Sequence, residues 1–142
     1  MKKTISILSI LDCLKDDYIL LKKWDDFPAY VPGSDVDILV MDKFDSSKRL
    51  QNFLSSVLNG EDQFLRVCEG SSHIHLDIMQ EDMLLLRVDL IDNFDFFTQF
   101  SIQKALLINL FLTRQKKAYD DHQIYVPSND FDLLLRYFEY LE

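Results

Sequence analysis

The chain has 142 residues, 48% of them hydrophobic, with only three Gly and three Pro; it is long enough for one domain with a sizeable core, too apolar for disorder and too poor in turn formers for a sandwich of tight hairpins. A formal net charge of −9 repels a phosphate backbone, and no Lys/Arg stripe with interleaved aromatics offsets it, so no nucleic-acid partner is expected. No apolar run reaches the length of a membrane span, and Cys13 and Cys68 form no CxxC pair, so we expect no membrane insertion and a reducing, cytoplasmic setting.

The opening "MKKTISILSILDCLKDDY" resembles a signal peptide for a few residues. Asp12 breaks the apolar stretch and no small-residue cleavage site follows, so the segment reads as a first helix. Ile7, Leu8, Leu11 and Leu14 at helical spacing place it over 4–14. "YILLKKW", 18–24, predicts a short strand with a basic end, and Pro28 and Pro32 mark 25–33 as a loop. "DVDILVM", 35–41, predicts a strand whose apolar half is buried on both faces. Leu50, Phe53, Leu54, Val57 and Leu58 form one helical stripe over 46–58, with Asp45 as N-cap and Gly60 as terminator.

"QFLRVCE", "HIHLDIM" and "LLLRVDLI", separated by turn-like "EGSS" and "QED", predict an antiparallel meander. With the strand at 35–41 joined to it through a helix, the fold class is α/β (α+β): a mixed, largely antiparallel sheet flanked by helices. Residues 100–118 read as one long amphipathic helix whose basic end, "TRQKKA", suits a helix C-terminus. "QIYVPS" is a short extended piece, and Asn129 with Asp132 resembles a capping box opening a last helix. We expect a core over 1–95 and a helical extension of the same domain over 96–142. That last helix stops while still apolar, as if a further C-terminal domain or an oligomer contact followed.

Chemistry concentrates in "PGSDVDILV". Asp35 and Asp37 share one face of their strand, roughly 7 Å apart. Two acids beside a buried strand need a positive group to offset them. Mg²⁺ suits them, since it takes one or two carboxylates together with water and phosphate oxygens. Two such ions about 4 Å apart activate an attacking oxygen and steady a leaving pyrophosphate. Asp77 and Asp89, each in an apolar strand, are the candidates for a third acid. Lys22 and Lys23 are placed to neutralise a triphosphate or simply to solvate a strand end.

A Gly-Ser pair, an Asp-x-Asp that leads an apolar strand, and a further Asp on a later strand resemble the DNA polymerase beta-like nucleotidyltransferase superfamily, over roughly residues 18–92. The resemblance implies two Mg²⁺ ions and transfer of a nucleoside monophosphate from an NTP to a small molecule or a protein hydroxyl. It assigns Asp35 and Asp37 to the metals and Gly33 and Ser34 to phosphate. It favours Asp77 as third acid, because that acid often follows a hairpin of the form "FLRVCEGSSHIHLDIM", with Asp89 in reserve. "YVPSNDFDLLLRYFEYLE" also resembles segments of uncharacterised bacterial members associated with surface-polysaccharide genes. The chain departs from the pattern where Ser34 abuts Asp35, since most members insert about a helical turn there.

Two alternatives stand beside this reading. One is a catalytically inactive nucleotide-binding or protein-interaction module of the same fold. The other is a zinc-dependent hydrolase using His73, His75 and Asp77, which share a strand face.

Overall fold

Ser6 accepts from the Ser9 N–H and opens the first helix, α1 (Ile7–Leu14). Its apolar residues at helical spacing are all buried. The computed structural model describes residues 5–58 and 62–142, and Gly60 lies outside them. After α1 come β1 (Tyr18–Leu20), β2 (Ser34–Val40), α2 (Lys43–Val57), β3 (Gln63–Glu69), β4 (His73–Gln80) and β5 (Met83–Ile91). Then follow α3 (Lys104–Thr113), β6 (Gln115–Tyr119), β7 (His122–Val126) and α4 (Asn129–Leu141).

Five strands form one sheet in the order β1-β2-β5-β4-β3. The meander β3-β4-β5 is antiparallel, as the turn signals between the strands predict, and β2 joins it by pairing parallel with β5. That parallel pair requires a crossover, and α2 supplies its helix. The sheet is therefore mixed and mostly antiparallel, within an α+β fold.

Period-2 alternation sorts the side chains. Val36, Ile38, Ile74, Leu76, Ile78, Leu86, Val88 and Leu90 face α1 and α2 and join the main core with Leu50 and Leu54. The opposite face divides in two. At one end Ile19, Leu39 and Ile91 lie in a second core with Phe94, Phe97, Leu110 and Leu135. At the other end the sheet face carries charge, and the candidate site lies there.

Two helices differ from expectation, α2 at its start and the helix expected over 100–118 at both ends, since α3 begins only at Lys104. Helix α2 begins earlier, because Asp42 rather than Asp45 is its N-cap, accepting from Phe44 N–H at 3.0 Å and Asp45 N–H at 3.1 Å. The long helix expected over 100–118 ends at Thr113, and "QKKAY" instead pairs with "HQIYV" in a hairpin. Two forces favour the hairpin. Asp120 takes a positive φ of 50° in the two-residue turn, which Asp tolerates well. Pairing also lets Ile124, Tyr125 and Val126 bury in the main core, with Lys116 over the Tyr125 ring.

Candidate active site

Strand register places two rows of polar side chains across the open face. The first row runs Asp35, Arg87, Asp77, Arg66 through β2, β5, β4 and β3. The second runs Asp37, Asp89, His75, Cys68 through the same strands. Intervening residues Val36, Val88 and Leu76 point into the main core, which fixes both rows on the other side.

The first row alternates in sign and neutralises itself. Asp77 is buried between two guanidinium groups, accepting from Arg87 at 2.7 and 2.9 Å and from Arg66 at 2.8 Å. The Arg87 bonds, aided by Arg66, hold its carboxyl down at about 2 despite burial. Asp77 thus has its counter-charge already. This differs from the expectation that it joins Asp35 and Asp37 around a metal, and the reason is a pair of arginines on neighbouring strands.

Among the described residues, the second row has a basic partner only at Asp89, which pairs with His75. Asp37 and Asp89 are direct register partners on parallel strands. Burial pushes the Asp37 carboxyl up, the Asp89 charge adds to it, and Asp35 adds further, to about 6. Asp89 is itself buried and bonded to His75 Nδ1. The His75 ring stacks on His73, whose Nδ1 lies 2.8 Å from Ser72 Oγ. The set His73, His75 and Asp77 is therefore not assembled around one point: each has a different partner. Among the described residues, no three His, Cys, Asp or Glu side chains form a group that would hold a metal ion by themselves. The acid pair still fits a hard cation, which needs only one or two carboxylates when phosphate oxygens and water complete its shell. The repulsion that raises Asp37 is what such a cation would relieve.

Gly33 has a φ of +89°, and its N–H donates to Leu85 O at 3.1 Å. Leu85 is the residue left over where the β4-β5 register shifts between Ile78 and Met79. The Ser34 N–H and hydroxyl both donate to Val31 O, at 3.1 and 2.6 Å. The donors expected to meet phosphate are therefore spent inside the fold, that of Gly33 on β5 and those of Ser34 on the turn into β2.

Asp35 and Asp37 open on a cleft of about 480 Å³, lined also by Lys22, Trp24, Tyr30 and Ser34. Lys22, which follows β1, is one of the lining residues. A smaller cavity of about 100 Å³ also borders Asp37, and Lys22 lines it too. Trp24 and Tyr30 were not among the expected site residues; they come from an aperiodic loop, where no pattern marks which side chains face inward. Arg66 was also missed, though its register position opposite Asp77 follows once "QFLRVCE" and "HIHLDIM" are paired.

Comparison of the chain with protein-family models, with curated proteins and with solved structures finds no match. No helix of the described residues is long and apolar enough to cross a membrane.

Proposed function

We propose that the chain is a metal-dependent nucleotidyltransferase that moves a nucleoside monophosphate from an NTP to a hydroxyl of a small molecule or protein. One observation carries the reading: Asp37, raised by burial and by the neighbouring Asp89 and Asp35, sits beside Asp89 on parallel strands and lines a cleft together with Asp35 and Lys22. Asp37 and Asp89, with phosphate oxygens and water, would hold Mg²⁺, which when bound offsets charge on the phosphates and the attacking oxygen. Lys22 meets the triphosphate, and Trp24 and Tyr30 offer aromatic surface to the base. The acceptor oxygen bonds to the α-phosphorus while the bond to the α,β-bridging oxygen breaks. Pyrophosphate leaves with that electron pair, and the hydroxyl proton passes to the Asp37 carboxylate, which lines the cleft. In this proposal Asp89 takes the place first given to Asp77.

Calorimetric titration with Mg²⁺ and each NTP tests the reading. Metal-dependent NTP binding that is lost in Asp37→Asn and in Asp89→Asn supports it. No binding at millimolar NTP removes it.

The internal use of the Gly33 and Ser34 donors favours a second reading, a nucleotide-binding module without turnover. A labelled-NTP transfer assay against a metabolite extract separates the two. Binding without any labelled product selects the module.

A further inference from the structure

Lys23 and the lysines of β6 have no part in the reaction proposed above, yet the fold gathers them. Alternation along β6 puts Lys117 and Tyr119 on one side and Lys116, over the Tyr125 ring, on the other. Lys23 donates from Nζ to the Tyr119 hydroxyl, so the loop after β1 meets the Lys117 side of the hairpin. Between these segments and α4 lies a cleft of about 270 Å³, walled by Lys22, Lys23, Lys117, Asn129, Asp132 and Arg136. The chain has 24 acidic residues against 15 Lys and Arg, so counter-charge is plentiful. Even so, among the described residues no carboxylate pairs with any of the three lysines. Asp132, the acid in that wall, is taken by Arg136 at 3.4 Å. Three ammonium groups thus converge on one concave surface, where like charges focus a positive field.

We propose that this cleft is an oxyanion subsite that takes the phosphate group of a small ligand. Charge favours phosphate over carboxylate. A phosphate monoester carries about −1.5 to −2 at neutral pH and offers three acceptor oxygens, which three lysines can meet as point charges. A carboxylate leaves most of the local positive charge standing. Size favours a small ester over a whole nucleotide, since the cleft is just under the roughly 300–1,000 Å³ of common ligand pockets. Lys22 also lines the cleft of Asp35 and Asp37, so the two clefts share a side chain. The phosphate therefore has two sources to distinguish: a separate phosphorylated molecule, or the far end of a triphosphate that begins at the acids. The subsite goes beyond the nucleotidyltransferase reading and does not depend on it.

The test follows amide resonances of the ¹⁵N-labelled, magnesium-free protein titrated with glycerol 3-phosphate, and separately with acetate at equal ionic strength so that general screening is the same. Glycerol 3-phosphate should shift Lys22, Lys23, Lys117 and Asn129 saturably, and acetate should not. Lys117→Gln, at an exposed strand position, should weaken binding about fivefold, and Lys117→Glu about tenfold or more. A non-hydrolysable ATP analogue with Mg²⁺ then separates the sources. Joint binding of both ligands assigns the phosphate to a separate molecule. Displacement, with the analogue itself shifting Lys117, assigns it to the triphosphate. Shifts that stay linear, that acetate reproduces, or that persist undiminished in both variants overturn the subsite. An analogue that fails to bind while glycerol 3-phosphate still does removes the nucleotidyltransferase reading alone.

Discussion

Asp37 and Asp77 are both acids on one sheet face, yet they have opposite effects on stability. The folded state raises Asp37 from an ordinary 3.8 to about 6, through burial first and then Asp89 and Asp35. An acid with a raised folded pKa costs stability when ionised, so the cost is fully present above pH 6 and absent below 3.8. Its ceiling is about 3 kcal/mol. Asp37→Asn should therefore raise the melting midpoint at pH 7 by several degrees, with the gain fading toward pH 4; a pH series of thermal melts measures it. An unchanged midpoint at pH 7 would mean that neither burial nor the neighbouring acids penalise the charged Asp37. Asp77 runs the other way. Its carboxyl is held at about 2, so its stabilisation is present above 3.8 and lost as pH falls through 2. Asp77→Asn leaves two guanidiniums facing each other and should cost about 2 kcal/mol at pH 7, below the figure for a fully buried pair because Arg66 and Arg87 are 55% and 35% exposed. Urea denaturation at pH 7 reads it, and a stabilised Asp77→Asn would return Asp77 to the acid cluster.

Strands were easier to read in the sequence than the partners they bring together. Alternation in "HIHLDIM" and "LLLRVDLI" already puts Asp77, Arg87 and Asp89 on polar faces, and the turns between them already suggest the meander. What alternation cannot give is the neighbour of β2. Parallel pairing with β5 brings Asp89 opposite Asp37, whereas pairing with β4 would have brought in the other acid. The hairpin β6-β7 was hidden for a different reason: "LFLTRQKKA" has good helix formers, and tertiary burial of Tyr125 overrides them. Helix α2 carries a further expectation. Asp42 caps two N–H groups, and next to it the buried Lys43 donates to Ser71 O at 2.9 Å and pairs with Asp92 at 3.5 Å. Asp42→Ala should cost about 1 kcal/mol, seen as a lower denaturation midpoint with unchanged slope. Leu54→Ala, inside the same helix and fully buried, should cost about 2–5 kcal/mol.

For the molecule as a whole, a cation bound only by the folded state should stabilise it by mass action, about 2.7 kcal/mol at a hundred times its dissociation constant. Thermal melts in rising Mg²⁺ should move wild type upward and leave Asp89→Asn in place; equal shifts in both would remove the acid pair from the response. The parallel pairing of β2 with β5 has a consequence in time as well. Its partners are separated by a helix and two strands of chain, so this contact has a high closure cost and is expected late, after the local meander has zipped. Until that moment Asp37 and Asp89 are far apart and hydrated. Their repulsion is then felt chiefly by the finished native state and hardly at the folding barrier. Relieving it should act as a brake on escape: in stopped-flow chevrons, Asp37→Asn should slow unfolding while leaving the refolding limb nearly where it was.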